Sequence, residues 1–209
     1  MNDTQRKFTN VQIGLVVAAV LLLFFIFRLL PTSKVVTTDE ESLLPGMQIS
    51  LVPWGVETAY LRERLSRIGL PALATEGNAL HIHQHIDIFI HGKQVGIPAE
   101  IGVNEQAGFI SPIHTHDTSG VIHIESPIVQ DFNLGQFFDI WGVGLTKQSI
   151  GGYVNTTTST LRVFVNGVEV MNDPRSLLLT AHQEIVLTYG EVSELPKRIP
   201  AEYGFEKDL

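Results

Sequence analysis

The chain has 209 residues, a formal charge of −8, no cysteine and 44% hydrophobic residues. The acidic balance argues against nucleic acid as a partner, because phosphate binding wants clustered Lys and Arg. Without cysteine there are no disulfides and no thiolate ligands, so any metal site must be built from nitrogen and oxygen donors.

The length suits one membrane segment and one compact domain. Residues 1–10 read as a cytoplasmic arm. From Ile13 to Phe27 the chain is apolar throughout, and Leu29 and Leu30 continue the run past Arg28. At 1.5 Å per residue the segment 11–30 is just long enough to span a bilayer, with Arg28 snorkelling at the interface. Its exit, Phe27-Arg-Leu-Leu-Pro-Thr-Ser-Lys34, has no small-residue cleavage pattern, so an uncleaved signal anchor is expected. Positive charges tie across the span, with Arg6 and Lys7 before it and Arg28 and Lys34 after it. The short arm and the acidic run Asp39-Glu-Glu41 place the C-terminal part outside the cytoplasm.

Residues 31–55, punctuated by Pro31, Pro45-Gly46 and Pro53-Trp-Gly55, read as a tether. A folded domain is expected over 56–190 and an extended tail over 191–209. Glu57 to Ile68 sets Leu61, Leu65 and Ile68 on one side and Arg62, Glu63, Arg64 and Arg67 on the other. That is a short amphipathic helix stopped by Gly69 and Pro71. Next comes Leu80-His-Ile-His-Gln-His-Ile-Asp-Ile-Phe-Ile90. Side chains alternate along a strand, so His81, His83, His85 and Asp87 share one face, while Ile82, Ile86, Ile88 and Ile90 share the other. His91-Gly92 then makes a two-residue hairpin turn, and the same signal returns in Leu161-Arg-Val-Phe-Val-Asn-Gly-Val-Glu-Val170. Where the first copy carries histidines, the second carries Thr156, Thr158 and Thr160.

The stretch Ile113-His-Thr-His-Asp-Thr-Ser-Gly-Val-Ile-His-Ile-Glu125 reads as two strands around the turn Asp117–Gly120. That turn pairs residue 114 with 123 and puts His114, His116, His123 and Glu125 on one face. Ile113, Thr115, Ile122 and Ile124 fall on the other. Between the hairpins, Asn133 with Gln136 fits a capping box. Leu134, Phe137, Phe138 and Trp141 then form an apolar helix face that Gly142 ends. Gln183 to Tyr189 is a final strand. The fold expected is therefore α+β: a transmembrane helix, then a mainly antiparallel sheet with one or two short covering helices.

Six of the eight histidines sit in the two strand-like runs. An ordinary outer sheet face would use Thr, Lys, Glu and Ser; neutral imidazoles with interspersed carboxylates suit a divalent cation instead. The candidate ligands are His83, His85, His114, His116, His123 and Glu125. His114 and His123 face one another, and His83 or His85 completes the set. His81 begins its strand and is left at the periphery; His91 at a turn tip and His182 before a strand are structural. Asp87, Asp117 and Glu125 can fix imidazole tautomers by accepting ring N–H groups, and Glu125 can alternatively ligate or act as a base. Thiolate-free, imidazole-rich sites suit copper or zinc, and also nickel or iron.

The run His81-Ile-His-Gln-His85, the stretch His114-Thr-His-Asp-Thr-Ser-Gly-Val-Ile-His-Ile-Glu125 and the helix Leu134-Gly-Gln-Phe-Phe-Asp-Ile-Trp-Gly142 resemble a family of uncharacterised membrane-anchored prokaryotic proteins. Ile199-Pro-Ala-Glu-Tyr-Gly-Phe205 is similar to that family's ending. The resemblance covers roughly residues 60 to 205 and implies an extracytoplasmic location but no activity. A membrane-anchored metal-binding protein is the expectation, with the membrane and a metal ion as partners. A metal-dependent enzyme with an activated water, or an interaction module without metal, are the alternatives. No His-Glu-x-x-His motif is present, and Ser119 lies in a plain turn rather than a nucleophile elbow.

Overall fold

Two hairpins with the same turn chemistry frame the main sheet. In the first, β1 (Leu80–Ile90) returns as β2 (Lys93–Val95) through His91 and Gly92, at φ of 50° and 72°. In the second, β10 (Thr160–Val165) returns as β11 (Val168–Val170) through Asn166 and Gly167, at 51° and 79°. Two consecutive positive φ angles define the primed turn whose twist matches the strands it joins. The computed structural model describes residues 43–206. The arm expected over 1–10 and the anchor expected over 11–30 lie outside them. Among the described residues no helix is long and apolar enough to cross a membrane.

The remaining strands are β3 (Val103–Asn104), β4 (Phe109–Ile110), β5 (Ile113–His114), β6 (Val121–Ser126), β7 (Leu145–Thr146), β8 (Ser149–Ile150), β9 (Tyr153–Val154) and β12 (Glu184–Gly190). The main sheet runs β11-β10-β12-β1-β6-β5, with β2 also on β1. The architecture is mostly sheet with two short helices, α1 (Leu61–Arg67) and α2 (Leu134–Trp141). One pairing departs from the antiparallel pattern: β12 lies parallel to β1, with His85 opposite Glu184 and Ile90 opposite Tyr189.

The isoleucine face of the sheet carries the core. Ile86, Ile88, Ile113, Ile122, Ile124, Ile185 and Leu187 are buried in one cluster with Leu134, Phe137, Phe138 and Trp141 of α2. The capping box at α2 is present in both directions between Asn133 and Gln136, and Gly142 closes the helix at φ 79°. Trp141 meets Trp54 edge-on at 5.9 Å and donates its indole N–H to Gly55 O at 3.1 Å. The later part of the 31–55 segment is thus laid against the domain: Trp54 is buried, and Gln48 N–H bonds Gly142 O.

Two features go beyond the sequence pattern. Arg64, expected on the solvent side of α1, is fully buried. Its guanidinium donates to Ile140 O at 3.0 Å and Pro45 O at 3.2 Å, and pairs with the Glu57 carboxylate. It occupies α2's last turn, where free carbonyls attract a cation. The tail, expected to be extended, is also applied to the sheet. Tyr203 stacks on His85 with ring centres 3.9 Å apart, and Phe205 sits 5.0 Å from His182.

Because Trp141 is enclosed on all sides, Trp141→Ala should cost about 3–5 kcal/mol, the usual penalty for an emptied core aromatic. Urea unfolding of both proteins measures it, and a loss under about 1 kcal/mol would remove Trp141 from the core.

Candidate metal centre

The site begins with backbone pairing. His83 on β1 is opposite His123 on β6, and His123 is opposite His114 on β5. Three imidazoles therefore form a row across three adjacent strands, on the face opposite Ile82, Ile122, Ile124 and Ile113. The turn between β5 and β6 sets this register. The Asp117 carboxylate accepts the Ser119 N–H at 2.8 Å, closing the turn on its own backbone. Gly120 takes φ 88° and lies so close to β1 that a Cβ there would come within 2.6 Å of Ile86 O. Only glycine meets both demands.

The donor atoms sort into two overlapping quartets, each with its atoms mutually within 4.8 Å. One comprises His81, His83, His123 and Glu125; the other comprises His114, His116, His123 and Glu125. Within them, His81 Nε2 is 3.1 Å from His83 Nε2, and His114 Nε2 is 3.2 Å from His116 Nε2. Glu125 Oε1 lies 3.2 Å from His81 Nε2 and 3.3 Å from His123 Nδ1. A tetrahedral ion with bonds of about 2.0–2.1 Å holds its ligand atoms about 3.3 Å apart. These buried His and Glu clusters can hold a metal ion.

Protonation suits the same purpose. Burial, then repulsion from His81, His182 and His116, lowers the pKa of His83 to about 4. Burial and His116 lower His114 to about 4, against the Ser111 carbonyl, which favours its protonated form. Burial and the imidazoles of His116, His83, His114 and His81 lower His123 to about 3. At neutral pH these rings hold free lone pairs, the form that ligates. His114 also has a fixed tautomer: its Nδ1–H donates to Ser111 O at 3.0 Å, which leaves Nε2 pointed at His116. Burial and the neighbouring Glu76 carboxyl, which shares a hydrogen bond with it, raise the pKa of Glu125.

His85 stands apart from this row. Its Nδ1 is 2.7 Å from Glu184 Oε2, and its Nε2–H donates to Ser119 O at 2.9 Å. Burial works against its charge, yet the Glu184 and Ser119 hydrogen bonds outweigh it and raise its pKa. With both nitrogens engaged, its role here is to tie β1, β12, the turn and Tyr203 together. It does group with Asp87 and Glu184 as a separate trio of donors.

Two donors were not among the expected ligands. His81, set aside as peripheral, has a side chain 54% exposed, yet its ring reaches both His83 and Glu125. Glu76 approaches His116 Nε2 to 3.5 Å and His114 Nε2 to 4.0 Å. It arrives on a segment pressed against β6: a Cβ on Gly77 would lie 2.1 Å from the Ser126 carbonyl carbon. Nothing in the sequence near Glu76 marks it; the bonds from Gly77 N–H to Glu125 O and from Ala79 N–H to Ser126 O bring it in. His91 bonds Glu194 at 2.9 Å, at positive φ as expected of a turn-tip residue. His182 also has positive φ and donates its N–H to His83 O.

In metal-free buffer the buried histidines make the fold acid-sensitive. Their folded pKa values lie below the unfolded value of about 6.5, so the unfolded chain binds more protons between about pH 6.5 and pH 3–4. The stability they contribute is full above that window and is lost as pH falls through it. The raised pKa values of His85 and Glu125 act in the opposite sense. Accordingly His123→Asn should show a shallower fall of stability between pH 6.5 and pH 4 than the parent. Urea midpoints at successive pH values test this, and parallel curves would refute it.

Comparison with protein-family models, with curated proteins and with solved structures finds no match for this chain. What the site can do is carried by its own residues.

Proposed function

We propose that this chain is a membrane-anchored extracytoplasmic protein that binds copper or zinc through the His–Glu cluster of β1, β5 and β6. The observation that supports it most is the row His83–His123–His114. Neutral imidazoles are there held at ligand spacing, with His114's tautomer preset. Apolar residues at these positions would spare the fold the cost of burying polar rings, whose nitrogens here turn largely on one another, His83 on His81 and His114 on His116. A cation gives those lone pairs a stronger partner. Copper(II) outranks zinc for nitrogen and oxygen donors of this kind, whereas a tetrahedral set with several imidazoles suits zinc. His83, His114, His116, His123 and Glu125 are the ligands, joined by His81. His85 serves the fold.

The location rests on the apolar segment 11–30 and the resemblance of the histidine motifs to membrane-anchored prokaryotic proteins. A binding role is favoured over catalysis because the larger grooves of the described surface are lined by other residues. One runs past Leu43, Met47, Ile49 and Leu145, and another past Val52, His91 and Tyr153. A metal-dependent hydrolytic role is the second reading. It is favoured by Glu76, which is 47% exposed beside His116 and could take a proton from a bound water.

The decisive measurement is the metal content of the full chain, purified in a non-coordinating detergent with its affinity tag removed. Stoichiometric zinc or copper is expected. His123→Ala should lower affinity at least a hundredfold, while His91→Ala should leave it unchanged. Retention of full affinity by His123→Ala would sink the site. For location, protease added to intact spheroplasts should digest the domain; complete protection would place it in the cytoplasm.

A further inference from the structure

The donors outnumber what one ion takes. A tetrahedral centre uses four ligands, and any two donors on one ion lie within about 4.2 Å, twice the bond length. Here five imidazoles and two carboxylates form one continuous surface. The pair His81–His83 stands on β1 and the pair His114–His116 on and just beyond β5, with β6 between them. Strands lie about 4.8 Å apart, so the two pairs belong to backbones about 10 Å apart. Each pair already spans one ligand edge, at 3.1 and 3.2 Å. The residues common to both quartets are His123 and Glu125, which sit on the central strand.

We propose that the cluster holds two divalent ions rather than one, joined across β6 by the Glu125 carboxylate. This rests on the metal-binding reading above. One ion takes His81 and His83, the other takes His114 and His116, and His123 lies between them as a ligand to one. Glu125 is suited to bridging because it has two oxygens and already lies between His81 and His123. Glu76 supplies a terminal carboxylate to the second ion, its Oε1 being 3.5 Å from His116 Nε2 and 4.0 Å from His114 Nε2. A carboxylate bridge of this kind sets two ions about 3.5–4 Å apart. His81 and His116 form the outer rim, with side chains 54% and 43% exposed. Each ion therefore keeps a side open to water or to a small anion, while the row His83–His123–His114 closes the floor. The class of ligand such a pair would take is an oxyanion or a hydroxide spanning both ions.

The test uses the full chain in detergent, titrated with cobalt(II) and followed by its visible absorption, with bound metal counted after dialysis. Two equivalents are expected. The rim variants His81→Asn and His116→Asn alter exposed side chains, and unfolding midpoints of the metal-free proteins check that both are folded. Each should lose one equivalent, or bind it at least tenfold more weakly, and keep the other. Loading with two equivalents of copper(II) should weaken the electron paramagnetic resonance signal per ion relative to one equivalent, because neighbouring spins couple. A single equivalent in the parent chain, weakened alike by both variants, would overturn the two-ion centre and leave metal binding standing. No bound cobalt, zinc or copper in the parent would overturn both.

Discussion

The pairing of β6 with β1 on one side and β5 on the other is the constraint from which the rest follows. Ile122 and Ile124 are fully buried on one face of β6, and His123 and Glu125 project from the other. A slip of one residue would send an imidazole into the isoleucine core and an isoleucine into the polar face. The apolar face, worth about 25 cal/mol for each Å² buried, thus holds the ligand row in register without any ligand being present. Core and site are two sides of the same strands, so they cannot vary independently.

Two histidines two positions apart on β1 meet opposite fates. His83 lies among other imidazoles, and burial and their repulsion keep it neutral. His85, beside Glu184 and the Ser119 carbonyl, has its charged form favoured despite burial. The difference comes from what lies across the sheet. On the N-terminal half of β1 the neighbour that matters is β6, which sets His123 opposite His83. At His85 the parallel neighbour β12 begins, and it begins with a carboxylate. The same residue type, on the same face of the same strand, is a lone-pair donor in one place and an ionic strut in the next.

The parts legible in the sequence are those whose physics is local. Both hairpin turns, the Asp117–Gly120 turn with the pairing of His114 and His123, and the Asn133/Gln136 capping box follow from residues within a few positions of each other. The parts that were not legible depend on distant partners. Arg64 has the pattern of a solvent residue and is buried because α2 ends against it. Glu76 belongs to no motif and enters through the backbone pairing of Gly77 and Ala79 with β6. The parallel placement of β12 and the return of Tyr203 onto His85 join segments about a hundred residues apart in the chain, a separation that periodicity does not encode. His85 shares the alternation of His83, and nothing in β1 itself distinguishes the two.

The position of β12 also imposes an order on assembly. It is the last strand in the sequence, yet it lies inside the sheet, between β10 and β1. The β10–β11 hairpin reaches the rest of the sheet only through it, so the sheet stays in two pieces until residues 184–190 are available. Pairings of such long sequence separation are the slow ones. The histidine row is different, since β1, β5 and β6 are contiguous in the sheet and confined to residues 80–126. A chain delivered from its N-terminus therefore has the means to gather its ligands well before it can close its fold.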